Sequence, residues 1–536
     1  MPGILGCMNL VPLLAPAVAS RISAWNASDA VRRLWDADPT LWSDDPTTPE
    51  LADRLGWLRL HETMRDSLPA IVEAAEAVRR DSDHIVLCGM GGSSLAPEVF
   101  ARSYGRIEGW PELIVLDSTH PDAVRAVADR IDPARTTFVV SSKSGTTLET
   151  LSFMRFFYGL VGGDGARFVA VTDPGSSLAT LARERAFRFV FEAIPDVGGR
   201  FSALTHFGLV PAAFVGIDPS TLLDAAARLA DQASDNVNDD PAVGLGIALG
   251  ELARQGRDKL TFLTSPSLES LPSWMEQLIA ESLGKDGTGV VPVADEPPRG
   301  PSAYAEDRVF LAFVLAGEQG PDLDALIRAG QPVLGFELPG LNALGYEMLR
   351  AEVVTATAGA ILGVHPFDQP NVEAAKKLAT RAMDGDLDLG SVPTVDEADA
   401  ADRLASFLDG LVPGDYVGVQ AYLAPSDERW DRLQALRKMI GARTGLATTL
   451  GWGPRFLHST GQLHKGGPET GAFVQLVDQP ASPLPVPESG HEFGAIIAAQ
   501  AAGDHEALVE AGKRVIRVQL GADPDSVIDR LATAMS

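Results

Sequence analysis

Three loops and one helix in this 536-residue chain carry residue types that can bind an anion and move a proton. The run Ser141-Ser142-Lys143-Ser144-Gly145-Thr146-Thr147 sets hydroxyls, an ammonium and a glycine at the start of a helical stretch. Backbone N–H groups, helix dipole and side-chain donors then point one way, which is how a phosphate is cradled. A capping network alone accounts for Ser142 and Thr147 but has no use for so many donors. In Gly89-Met90-Gly91-Gly92-Ser93-Ser94 the glycines let backbone approach a ligand, while Ser93 and Ser94 can cap the following helix and donate hydroxyls. Such a turn suits many nucleotide and sugar-phosphate proteins, and equally a tight capped turn. Two glycines precede Arg200 in Val197-Gly198-Gly199-Arg200-Phe201-Ser202, so its guanidinium can sit against a bound anion. In the helical run Trp274–Lys285, Gln277 and Glu281 share one face; spacing alone does not rank Glu281 above Glu276 as a base.

The elements that must position these residues are legible as short apolar runs. His84–Cys88, Leu113–Leu116, Thr137–Val140, Phe168–Val171 and Arg188–Phe191 are rich in Val, Ile and Phe and alternate with helical stretches, which predicts a parallel, doubly wound sheet. A second series follows at Leu260–Leu263, Val290–Val293, Val309–Val314 and Val333–Phe336, and a third α/β segment has strands near Tyr416–Tyr422, Ala472–Leu476 and Val515–Leu520. Residues 1–80 read as helices, with three- and four-residue apolar spacing over Leu51–Leu60 and Ile71–Arg80. The expected divisions are 1–80, an N-terminal helical segment; 81–220 and 221–383, two αβα sandwiches; and 384–536, a C-terminal α/β segment entered through an acidic linker at Asp384–Asp402. Ligands of open α/β sheets sit at strand carboxyl ends, where all the loops above lie.

Composition narrows the ligand. With 72 Asp plus Glu against 44 Lys plus Arg, the formal net charge is −28, which argues against nucleic acid and anionic membrane as partners. An acidic chain that binds phosphate must gather donors locally, in loops such as those above. No apolar run reaches the roughly 18 to 20 residues that span a bilayer. Ile4–Ser20 has the small residues of a signal peptide but no Lys or Arg before Arg21 and two prolines inside, so export is not expected. Two distant cysteines, Cys7 and Cys88, make neither a disulfide framework nor a metal site, and a reducing cytoplasm is the simpler setting.

Ser142–Thr150 resembles the SKSGTTxET signature of SIS sugar-phosphate domains, and Val171–Ser176 is similar to another stretch of them. Val197–Ser202 resembles the VGGRxS motif of the phosphoglucose isomerase family, Trp274–Lys285 its second signature, and Phe367-Asp368-Gln369-Pro370-Asn371-Val372-Glu373-Ala374-Ala375-Lys376 its FDQ-x-x-V-E-x-x-K segment. The matches run in the family's order from Gly89 to Lys376. The resemblance extends through Gly451–Gly467 to the isomerase half of bifunctional transaldolase/phosphoglucose isomerases; the transaldolase barrel, of roughly 250 residues, has no room here. It implies an α/β fold of two tandem SIS-type sandwiches with mainly parallel sheets, an N-terminal helical segment and a C-terminal α/β extension.

The implied activity is interconversion of glucose 6-phosphate and fructose 6-phosphate through an enediolate, with no cofactor and no metal; the partner is the small sugar phosphate, and the chain can form a homodimer. The resemblance selects Glu281 as base, Arg200 as enediolate stabiliser and Lys376 as ring-opening and electrostatic partner, and adds Glu149 to the catalytic set. Gly92, Ser93, Ser142, Lys143, Ser144, Thr147, Gln277 and Gln369 are the implied substrate-binding residues. One departure is sharp: the family's ring-opening His, in a GTNGQH-like stretch, has no counterpart in Asp295–Arg308, which holds no His. His458 and His464, in a segment with Lys465 and several glycines, are the alternatives, a structural role for both being as well supported. Two other readings stand beside this one: a dual phosphoglucose/phosphomannose isomerase, and a non-catalytic SIS sensor of sugar phosphate. A sensor has no use for a base.

Overall fold

The computed structural model describes residues 4–8, 11–372, 378, 383 and 389–536. Its strands, among the described residues, are β1 (Ile4–Met8), β2 (His84–Gly89), β3 (Glu112–Leu116), β4 (Thr136–Ser141), β5 (Phe168–Thr172), β6 (Phe189–Glu192), β7 (Lys259–Thr264), β8 (Val291–Val293), β9 (Arg308–Leu315), β10 (Val333–Leu338), β11 (Tyr416–Tyr422), β12 (Ala447–Trp452), β13 (Gly471–Val477) and β14 (Arg514–Gln519). They form three sheets, ordered β3-β2-β4-β5-β6, β1-β10-β9-β7-β8 and β12-β11-β13-β14. Every neighbouring pair is parallel except β1 on β10. Helices join the strands, so the chain is α/β throughout.

The strand runs read from sequence fall on these strands to within a residue or two, because a parallel strand covered on both faces must be almost wholly apolar. All of β4 and β5 is buried. Two strands lie outside those runs. The N-terminal segment is not helical throughout: it opens with β1, which crosses to the edge of the second sheet. Likewise β12 completes the third sheet beside β11.

In the first sheet β2 and β4 are neighbours, while β3 lies beyond one and β5 and β6 beyond the other. Loops leaving β2 and β4 therefore diverge and open a crevice at the carboxyl ends. In the second sheet β7 occupies the corresponding place between β8 and β9, and helix Leu271–Leu283 follows it.

The first two sheets share one core, in which Leu87 and Val139 of the first and Leu260 and Phe313 of the second join helices His206–Phe214 and Leu344–Leu362. The third sheet has its own, built on Val417, Val419, Leu436, Ile440 and Val518. It meets the second through an apolar cluster of Val291 and Val293 with Tyr416, Ala447 and Phe473, and through polar contacts beside it. Glu296 accepts from Arg308 Nη1 (2.8 Å) on β9 and from the Thr448 backbone N–H (3.0 Å) on β12, and Arg437 Nη2 donates to Ala294 O (2.9 Å).

Candidate active site

The crevice is closed by glycines that leave no space for a side chain. Gly91, at φ +56°, sits where a Cβ would lie 2.5 Å from the His458 carbonyl oxygen and 2.7 Å from the Gln277 amide nitrogen. A Cβ on Gly92 would lie 1.9 Å from the Gly199 carbonyl oxygen. The turn after β2, the Gly198-Gly199-Arg200 turn, helix Leu271–Leu283 and the His458 segment thus converge on one place. Ser93 is half-buried beside them. Ser94 does not cap its helix through its side chain; its hydroxyl donates back to Gly91 O (3.3 Å).

The loop after β4 is held by its own hydroxyls. Ser142 Oγ lies 3.0 Å from Thr147 Oγ1 and accepts from the Gly145 N–H (3.2 Å), while Ser144 Oγ lies 2.9 Å from Thr146 Oγ1. Thr147 occupies the N-cap position of helix Leu148–Leu160 without a side-chain cap bond, so the first-turn N–H groups remain for an anion. Lys143 differs from expectation. Its ammonium is not presented to the loop's mouth but donates to Asp173 Oδ2 (2.5 Å) and to Pro195 O (3.2 Å). Burial pushes the Asp173 carboxyl up, against the lowering effect of Lys143.

Glu281 lies on helix Leu271–Leu283 with one oxygen, Oε2, accepting from Gln277 Nε2 (3.1 Å) and the other, Oε1, 3.7 Å from Arg200 Nη1. The same Gln277 nitrogen donates to the His458 carbonyl oxygen (2.8 Å). Arg200 is 2% exposed and is largely a strut: Nε donates to Ser282 Oγ (2.8 Å), Nη1 to Gln369 Oε1 (2.7 Å), and Nη2 to Pro366 O (2.7 Å) and Asp368 O (2.8 Å). Of a guanidinium's five N–H groups one, on Nη1, is left over. Burial lowers its pKa, and Glu281 works against that. Tilted ring contacts of Phe201 with Trp57 (5.0 Å) and Phe367 (5.2 Å) fix the two loops that carry Arg200 and Gln369. Beneath them Lys285 donates to His365 O and to both Asp368 O and Oδ1 (2.6 Å each). Burial, then Arg200, brings its pKa down to about 7. Lys376 lies outside the described residues.

Glu276 and Glu281, equal by spacing, are separated by the structure. Glu276 lines a cavity of about 870 Å³ that Arg200 does not line, together with Asp117, Asp295 and Arg455, where burial followed by the Asp295 charge pushes its carboxyl up to about 8.

The two histidines part company as well. His458 ends the short helix Arg455–His458, and its Nε2 is 2.9 Å from Glu149 Oε1 on the first turn of helix Leu148–Leu160. His464 belongs to the core of the C-terminal unit instead: its ring packs on Phe473 (4.7 Å) and Phe456 (5.6 Å), Nδ1 meets Gln420 Nε2 (3.3 Å), and burial holds its pKa well below the usual histidine range. Lys465 likewise turns inward to Asp504 (2.5 Å). Arg455, bound to Asp117 Oδ2 (2.8 Å) and to Glu98, pins the His458 turn onto the first sheet unit. Gln500, which touches Glu149, carries no sequence signal of its own, whereas Asp173 lies in the Val171–Ser176 stretch. Among the described residues no group of three or more His, Cys, Asp or Glu is placed to hold a metal, and no helix is long and apolar enough to cross a membrane.

A sequence model of the family described as phosphoglucose isomerase matches residues 60–295. A glucose-6-phosphate isomerase of Rubrobacter xylanophilus is 34% identical over 391 residues, which cover 62% of this chain and 90% of that protein. One of Symbiobacterium thermophilum is 31% identical over 383 residues, 60% of this chain and 85% of the relative. Among solved structures, a hypothetical protein of Thermus thermophilus superposes with a TM-score of 0.59 at 26% identity, over 69% of this chain and 97% of its own. The fold is also similar to that of a glucose-6-phosphate isomerase from Chlamydia trachomatis, with a TM-score of 0.50 at 20% identity over 71% and 81% of the two chains.

Proposed function

The chain belongs to the phosphoglucose isomerase family and interconverts glucose 6-phosphate and fructose 6-phosphate, and on that premise we propose that Glu281 is the base and that His458, held by Glu149, opens the sugar ring. The observation that carries this reading is the shared Gln277 amide. One nitrogen donates to Glu281 and to the His458 backbone, so carboxylate and imidazole segment are tied at one spot.

Opening the ring requires a proton to be delivered to the ring oxygen and one removed from the anomeric hydroxyl. His458 suits that exchange, because a neutral imidazole both accepts and donates at ordinary pH. With Nε2–H donated to the Glu149 carboxylate, Nδ1 is the accepting atom. In the open chain Glu281 takes the C2 proton, negative charge spreads over the enediolate oxygens, and the same carboxyl returns the proton to C1; general base catalysis of this kind contributes on the order of 10²- to 10⁴-fold. Arg200 offers its positive charge and one Nη1 hydrogen to that enediolate. Lys376 keeps the electrostatic role its motif context implies. The phosphate is received by the Ser142, Ser144 and Thr147 hydroxyls and the N–H groups at the start of helix Leu148–Leu160, with Gly92 and Ser93 opposite and Lys143 supplying charge from behind its bond to Asp173. Gln277 and Gln369 orient the base and the guanidinium.

Glu281→Gln tests the assignment in a coupled assay that forms glucose 6-phosphate from fructose 6-phosphate. The amide keeps the shape but takes no proton, so kcat falls by at least about 10²-fold while KM stays within a few-fold. Near wild-type turnover in that variant rejects Glu281 as the base.

A further inference from the structure

Glu149 receives a second hydrogen bond from a residue outside every motif. Gln500, on helix Phe493–Glu510 of the C-terminal unit, donates from Nε2 to Glu149 Oε1 (2.6 Å), the oxygen that also meets His458 Nε2 (2.9 Å). On its other side Gln500 Oε1 accepts from the Thr119 hydroxyl (2.7 Å) in the loop after β3. Gln500 is 4% exposed, Glu149 5% and Thr119 0%, so the chain of bonds is shielded from water.

Each bond in it has one direction. The Thr119 hydroxyl could serve either end of the Gln500 amide, but a flipped amide would aim its oxygen at the Glu149 carboxylate, so the nitrogen is fixed toward Glu149 and the Thr119 hydroxyl donates to the amide oxygen. With that nitrogen on Oε1, the carboxylate cannot turn to a different acceptor geometry for the histidine. Glu149 then accepts from His458 Nε2–H, which leaves Nδ1 as the basic atom of the ring. A third group that orients the partner of a catalytic imidazole in this way sets both tautomer and aim.

We propose that Gln500, locked by Thr119, is a positioning residue for ring opening: it holds the Glu149 carboxylate and through it the His458 tautomer. The proposal rests on the reading of His458 given above. It acts on ring opening alone, because none of the side-chain bonds described from Thr119 to His458 involves Glu281. It also makes the C-terminal unit supply both the imidazole and the group that aims it.

The test compares Gln500→Met, which keeps side-chain length without the donor, with His458→Ala in the full chain. Each is assayed on cyclic fructose 6-phosphate and on a 5-deoxy analogue that cannot close its ring. Gln500→Met should lower kcat on the cyclic sugar by on the order of 10-fold, taking the scale from outer partners of metal-bound histidines, with KM unchanged within about 2-fold and the acyclic rate within about 2-fold. In ¹⁵N-histidine spectra the His458 signals, identified by their loss in His458→Ala, should show Nε2 protonated in the wild type and a mixture of tautomers in Gln500→Met. Thr119→Val, which removes the hydroxyl that anchors the amide oxygen, should give a smaller loss of the same kind, and it keeps the proposal testable if Gln500→Met fails to fold. Equal losses on cyclic and acyclic substrates, or an unchanged His458 tautomer with full cyclic activity, would overturn the role of Gln500. If His458→Ala itself leaves the cyclic rate intact, the ring-opening reading fails instead.

Discussion

The two sides of the crevice are held by different forces. On the first-sheet side the Gly89–Ser94 and Gly198–Ser202 turns interlock by backbone contact, with Gly92 against Gly199 and Phe201 packed on Trp57 and Phe367. The C-terminal unit packs Phe493 and Ile496 on the first-sheet core but ties itself to the crevice through polar side chains: Arg455 on Asp117 and Glu98, Gln500 on Glu149, His120 Nε2 on Asp478 (3.2 Å). Packed backbone is indifferent to protonation, whereas ion pairs and charge-assisted hydrogen bonds are not. Proton transfer by Glu281 should therefore be the robust half of the reaction, and ring opening the half that fails first when the polar seam is disturbed.

The largest effect is expected at Arg455. Arg455→Met strips the cation from two carboxylates; breaking a fully buried pair from one side costs roughly 3 to 5 kcal/mol, and this pair, with Arg455 19% and Glu98 18% exposed, should cost less. Urea titration should show that loss, with activity on the cyclic sugar falling further than activity on the 5-deoxy analogue; equal falls would erase the distinction between the two sides.

Next comes Glu296, which joins the third sheet to the second. Burial raises its pKa, but Arg308, by charge and hydrogen bond, and Arg299 outweigh that and bring it down to about 2 from an ordinary 4.5. A depressed carboxyl contributes stability that is complete above its unfolded pKa and is lost as pH falls through the folded one. The shift corresponds to about 3 kcal/mol. The stability gap between wild type and Glu296→Gln should accordingly be widest above pH 4.5 and close towards pH 2. A gap independent of pH would show that Glu296 acts by packing.

The smallest of the three concerns the phosphate loop. Because Lys143 already holds Asp173 (2.5 Å), removing it leaves the hydroxyl and N–H cradle in place. Lys143→Ala should raise KM by about 10-fold with little change in kcat, since the phosphate is bound alike in ground and transition states. A pure kcat loss would contradict the cradle.

The same contrast explains what the sequence made legible. Strands β4 and β5 announce themselves because both faces are buried, and the Gln277/Glu281 pair because four residues make one helical turn. β1, Ile-Leu-Gly-Cys-Met, runs almost directly into the apolar helix Val11–Ala27 and shows no boundary. β12 carries two threonines and a glycine and so lacks an apolar run. His458 and His464 are separated by a change from 3₁₀ to α geometry, which spacing does not disclose. Gln500 sits among alanines, in Ala498-Ala499-Gln500-Ala501-Ala502, and means nothing until the fold brings it to Glu149.

Division of labour between Glu281 and His458 is the central claim, and exchange of carbon-bound hydrogen in D₂O tests it most directly. With the 5-deoxy sugar phosphate, which needs no ring opening, His458→Ala should exchange hydrogen within about 2-fold of wild type while Glu281→Gln falls by at least about 10²-fold. With cyclic substrate both variants should be slow. Exchange on the acyclic sugar that falls as far in His458→Ala as in Glu281→Gln would contradict the account.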